Sequence, residues 1–140
     1  MKKIIFILSF LIINSVGFAQ ISVNGTPKSF TNTLSNNIAT YQLSAVNKTQ
    51  LLAEDEAELS ITKATPLRFG QDFSVQLDLH NSGTWESLPN GDRVWRLKIQ
   101  SKGANSLNFI FNDFFMPNGA ELYLYNENQD YIIGAFTALN

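Results

Sequence analysis

Residues 93–100 read RVWRLKIQ. Trp95, Leu97 and Ile99 occupy every second position, with Arg96, Lys98 and Gln100 between them. Successive side chains of a strand point to opposite faces, so this period gives one apolar face and one wet face. A helix would need its apolar residues three and four apart. The same period recurs along the chain. Phe73, Val75, Leu77 and Leu79 alternate with Ser74, Gln76, Asp78 and His80. Leu107, Phe109 and Phe111 alternate with Asn108, Ile110 and Asn112, and Leu122 and Leu124 with Tyr123 and Tyr125. Ile132, Ile133 and Phe136 suggest a last strand around Gly134, and Tyr41, Leu43 and Ala45 a short early one.

The punctuation between these runs is turn chemistry. Asn81-Ser82-Gly83, Pro89-Asn90-Gly91, Lys102-Gly103 and Pro117-Asn118-Gly119 supply residues that preset φ or tolerate a positive one. Short strands at this spacing, without a long helical period, predict an all-β domain over 41–140, an antiparallel, jelly-roll-like β-sandwich. Its core is expected to take Trp95, Leu97, Phe109, Phe111 and Leu124. Leu51–Leu59, LLAEDEAEL, reads either as one or two helical turns or as an extended acidic loop.

Ahead of the domain, Lys2 and Lys3 precede an apolar run from Ile4 to Ile13. Gly17 and Ala19 are small residues at the −3 and −1 positions of a cleavage site, so residues 1–19 read as a secretory signal peptide cut between Ala19 and Gln20. The run is short for a membrane span and no cysteine is present for a lipid anchor. The product is therefore expected to be secreted, extracellular or periplasmic, and free of the membrane. Residues 20–40, rich in Asn, Ser and Thr, read as a polar, partly disordered lead-in. Without Lys2 and Lys3 the ten basic residues fall to eight against twelve acidic ones, a net charge of −4 that argues against nucleic acid. With no Cys, packing of Phe, Tyr and Trp must hold the fold.

Catalytic constellations are hard to assemble from this composition. A nucleophilic triad needs a base beside the nucleophile, and the one histidine, His80, ends a strand-like run with no nucleophile elbow in the chain. A zinc site would have to be built mostly from carboxylates. Glu54, Asp55, Glu56 and Glu58 form a dense acidic run that reads as solvated. Asn126, Asn128 and Asp130 share the spacing of a calcium loop's opening, but Tyr131 stands where the loop glycine belongs, so a hairpin turn is expected. Trp85, in a Gly-containing corner, is the candidate for ligand stacking. No catalytic residue, cofactor or metal is assigned, and the chain itself is not expected to be an enzyme.

One further pattern runs from Gly83 to Asn140: SGTWESLPNGDRVWRLKIQSKGANSLNFIF, then PNGAELYLYN, then IIGAFT. It resembles the N-terminal region that precedes the catalytic domain in secreted bacterial trypsin-like serine peptidases of the lysyl-endopeptidase type, in their Bacteroidetes-like versions. Leu51–Asp55 and Arg68–Gly70 fit the same region more loosely. The resemblance implies a non-catalytic pro-domain whose partner is a trypsin-like peptidase domain in cis. This chain would then be the leading fragment of a longer protein or a stand-alone relic. None of the family's catalytic residues maps onto this sequence. The alternative is a stand-alone secreted or cell-surface β-sandwich binding module for glycan or protein. The surface expected to meet a partner is the wet sheet face with Ile110, Tyr123 and Tyr125. The stretch after Lys102 carries Asp113, Glu121, Glu127 and Asp130 and no basic residue, which favours a basic partner.

Overall fold

The computed structural model describes residues 22, 25–61, 66 and 68–140. Its elements are α1 (Lys28–Thr31), β1 (Thr40–Leu43), α2 (Lys48–Ile61), β2 (Thr84–Ser87), β3 (Arg93–Arg96), β4 (Lys98–Ser101), β5 (Leu122–Tyr125) and β6 (Ile132–Phe136). Strand outweighs helix, and the strands meet in three two-stranded sheets. Residues 28–112 form one compact unit; residues 113–140 with the described residues 22 and 25–27 belong to another.

The stretch RVWRLKIQ organises the first unit. Its front half, β3, pairs antiparallel with β2, Thr84 opposite Arg96 and Ser87 opposite Arg93. The turn between them is the one the Pro89-Asn90-Gly91 sequence predicts. The Leu88 N–H donates to the Asp92 carbonyl at 2.8 Å, and Gly91 takes a φ of 88°, which costs an L side chain strain. Leu88 is buried beneath this turn. The back half, β4, pairs with β1, Thr40 opposite Lys98 and Leu43 opposite Ser101. That pairing is parallel, which corrects the expectation of a wholly antiparallel sheet. A long connection makes it possible, because β1 and β4 are separated by α2 and the β2–β3 hairpin.

Both pairings use the same edge. The carbonyls of Asp92 and Lys102 and the N–H of Lys98 face Leu88, Val46 and Ala39 respectively. Backbone groups of a strand alternate between edges, so the even-numbered residues of 92–102 all turn toward β2 and β1.

Helix α2 resolves the ambiguous LLAEDEAEL run as a helix, in a chain whose described regular structure is otherwise mostly strand. Ala, Glu, Leu and Gln are strong helix formers. Asn47 caps the start, its Oδ1 accepting the Gln50 N–H at 3.2 Å. Arg68 holds the acidic turn, its Nε 2.9 Å from Asp55 and its Nη1 3.1 Å from Glu54. No residue of the helix is buried, so these polar contacts rather than an apolar stripe fix it.

The second unit is built on the β5–β6 hairpin, Leu122 opposite Phe136 and Tyr125 opposite Ile132. A bulge interrupts the register between Leu122 and Leu124. Gly134 stands at the bulge with a φ of 127°, and a Cβ there would press into the Leu122 carbonyl. The adjacent Ala135 is buried. The connecting turn is closed by Asn126, whose Oδ1 accepts the N–H groups of Asp130 and Tyr131, both at 3.1 Å.

Two alternating runs take part in no ladder. Phe73–Leu79 leads into a turn at Leu79–Asn81, and Leu107–Phe111 remains outside any sheet. The core expectation is corrected with it: Phe109 and Phe111 are 40% and 49% exposed, while Trp95, Leu97 and Leu124 are half-buried. Alternation fits a residue to a strand, but only a partner makes the strand.

Candidate functional site

The densest polar network joins the segment from Lys28 to Ala39 to the β2–β3 hairpin. It engages the hairpin at three places. Lys28 Nζ reaches Asp92 Oδ2 at the turn, at 2.5 Å. In the middle, the Ser35 N–H donates to Glu86 Oε1 at 2.7 Å, and Arg96 Nη2 donates to the Ser35 carbonyl at 2.6 Å. At the far end the Ala39 N–H donates to Thr84 Oγ1 at 2.9 Å, just before the chain enters β1. The segment is thus a strap held by its backbone, which is why a stretch of Asn, Ser and Thr can be placed without large apolar anchors.

Glu86, opposite Val94, is the diagonal neighbour of Arg96 across the two strands, and the two form an ion pair at the centre of this network. The Arg96 side chain is only 11% exposed. The Ser35 N–H, and after it Arg96, hold the Glu86 carboxyl below its ordinary range. Lys28 and the Asn90 side chain lower Asp92 in the same way. Carboxyls held in the charged form suit binding a chain segment; a general acid needs the opposite shift. Among the described residues, Arg96 Nε is buried without a hydrogen-bond partner.

The other sequence candidates fall elsewhere. Asp78 Oδ1 accepts the N–H groups of His80, at 2.7 Å, and Asn81, at 2.8 Å. These bonds lower the Asp78 carboxyl and place His80 in a side-chain-closed turn. Trp85 is exposed; its Nε1 donates to the Leu79 carbonyl at 2.9 Å, and the Arg93 guanidinium lies 4.2 Å from its ring centroid. One face of the indole is therefore occupied by a cation. Glu54 and Asp55 are engaged by Arg68. Among the described residues no group of three or more His, Asp or Glu could hold a metal ion, and no helix is long and apolar enough to cross a membrane. The Ala19–Gln20 cleavage site lies outside the described residues.

The expected partner face is distributed over both units. Ile110 is 91% exposed. Tyr123 and Tyr125 are half-buried on β5. Burial, and then Glu121, which accepts the Tyr123 hydroxyl at 3.2 Å, push that phenol above its ordinary range. The strap network escaped the sequence reading altogether. Its signals, Ser35, Glu86 and Arg96, are single polar residues far apart in the chain, and nothing local ties them together. No family model matches the chain, and no solved structure matches it.

Proposed function

We propose that the chain is the non-catalytic N-terminal pro-domain of a secreted trypsin-like serine peptidase, a β-sandwich that acts by binding the peptidase domain in cis. The carrying observation is the patterned stretch from Gly83 to Asn140 that resembles such regions. The distribution of apolar surface supports it. Phe109, Ile110, Phe111, Phe114, Phe115, Ile132 and Ile133 are all exposed and all lie within that stretch. Taken unit by unit, Phe109, Ile110 and Phe111 in residues 28–112, and Phe114, Phe115, Ile132 and Ile133 in residues 113–140, are apolar side chains that a partner could cover. The partner would meet an acidic region, since residues 103–140 carry four acidic residues and no basic one.

The test is to produce the peptidase domain encoded downstream with and without residues 20–140 supplied in trans. A rise in folding yield, inhibition of activity, or a complex at micromolar concentration is the expected result. No effect on any of the three, or a gene that ends at the Asn140 codon, removes the peptidase partner. A stand-alone binding module would then take its place. Trp85 favours that second reading, because it is exposed and backed by Arg93.

Export is the accompanying proposal. The secreted protein should begin at Gln20, and intact mass measures this directly. A product retaining residues 1–19 would contradict it.

A further inference from the structure

Among the described residues, the run Arg93–Ser101 is paired along one edge only. Its even-numbered residues are engaged by β2, Ala39 and β1. Trp95, Leu97 and Ile99 turn their N–H and C=O groups to the opposite edge, where no described residue supplies a backbone partner. An unpaired edge of this kind is a template for another strand. Just downstream lies Leu107–Phe111, which has strand alternation and no ladder. It already behaves like a strand side by side: the Phe109 and Phe111 rings sit 6.4 Å apart, while Ile110 between them is 91% exposed. The link between the two bends at Ser101–Ala104, and pairing odd with odd positions lengthens this turn by one residue, setting Ser101 opposite Asn105. The Ala104 N–H points to the Ser101 carbonyl at 3.4 Å, and Gly103 has a φ of 87°.

We propose that Leu107–Phe111 is a flap that closes as an antiparallel strand on the open edge of Arg93–Ser101. Phase, tether and charge select this occupant. The first is phase. Pairing odd with odd positions sets Leu107, Phe109 and Phe111 on the same face as Ile99, Leu97 and Trp95. A slip of one residue would set them beside Lys98, Arg96 and Val94, so the register is specified. The second is the tether, since a turn this short gives the flap a high effective concentration over any free partner. The third is charge. Two copies pairing edge to edge about Leu97 would place Arg96 opposite Lys98, and like charges directly opposite are destabilising. Closure covers Phe109 and Phe111 and withdraws the edge from foreign strands; opening exposes both.

Residue-resolved amide exchange on the mature chain tests this. The Trp95, Leu97 and Ile99 amides should exchange at least about 100-fold more slowly than in an unstructured chain. Phe109→Pro removes the N–H that odd-with-odd pairing aims at the edge, and should speed these three amides about 10-fold or more. Asn108→Pro removes an N–H that points away and should leave them near wild type. The Lys98 and Gln100 amides, on the β1 side, report that each variant is folded. Unprotected Trp95, Leu97 and Ile99 amides in a wild-type chain whose Lys98 is protected overturn the proposal. So does protection that survives Phe109→Pro, which assigns the edge to another segment, or protection that grows with concentration, which assigns it to a second copy.

Discussion

Trp95→Ala is expected to destabilise the unit of residues 28–112 by about 3 kcal/mol, the low end of the cost of deleting a buried aromatic, because the ring is half-buried. The contacts that give this weight are specific. The indole N–H donates to the Ser82 carbonyl at 2.8 Å. The ring lies directly beneath Gly83, where an added Cβ would collide with it, and Gly83 itself holds a φ of 80°. In register, Trp95 stands opposite Trp85, so its loss also removes the cross-strand neighbour of the Arg93-covered indole. Trp95→Phe keeps most of the buried area and drops only the donor, for about 1 kcal/mol. Urea melts followed by far-UV circular dichroism separate the two variants. A loss below about 1 kcal/mol for Trp95→Ala would show that the ring carries no core.

How much of this could be read from the chain follows from the range of each interaction. Of the β2–β3 hairpin, β3 and the turn were legible because both are local: the alternation that starts at Trp95, and a Pro89-Asn90-Gly91 turn that needs a positive φ. Thr84–Ser87 read as a corner around Trp85, since four residues with one aromatic show no period. The bulge at Gly134 was half legible, as a glycine inside a strand pattern. Helix α2 carries a local signal of its own. Asn47 followed three positions later by Gln50 is a capping pattern, and the acidic run behind it is rich in helix formers. The β1–β4 pairing left no local trace, because a parallel partner is chosen across a long connection. Phe73–Leu79 and Leu107–Phe111 show the converse limit. Their period is that of a strand, yet period alone does not say which edge will take them. The strap was the least legible part, being held by backbone atoms that every sequence possesses and by three side chains distant along the chain.

The strap therefore supplies the second large expected effect. Arg96→Ala should cost about 3 kcal/mol, because it removes a largely buried cation while leaving the Glu86 carboxylate and the Ser35 carbonyl without their partner. Arg96→Lys should recover only part of this, since one ammonium cannot reproduce a planar fork that serves Glu86 and Ser35 together. A purely local defect in the hairpin would leave 28–39 in place, so the diagnostic readout is the strap itself. Amides of Ser35 and Ala39, which donate to Glu86 and Thr84, should lose protection in Arg96→Ala before those of β3 do. Acid should act in the same direction. Glu86 and Asp92 both have lowered pKa values in the folded chain. A depressed carboxyl contributes stability above its unfolded value, about 4.3 for Glu and 3.9 for Asp, and loses that contribution as pH falls through the folded value. Strap protection should thus be flat from neutral pH to about 5 and fall below about 4. In Glu86→Gln that acid step should shrink, leaving the part owed to Asp92 and Lys28. An acid profile unchanged by Glu86→Gln would mean that Glu86 does not hold the strap, and that the turn contact at Asp92 does so alone.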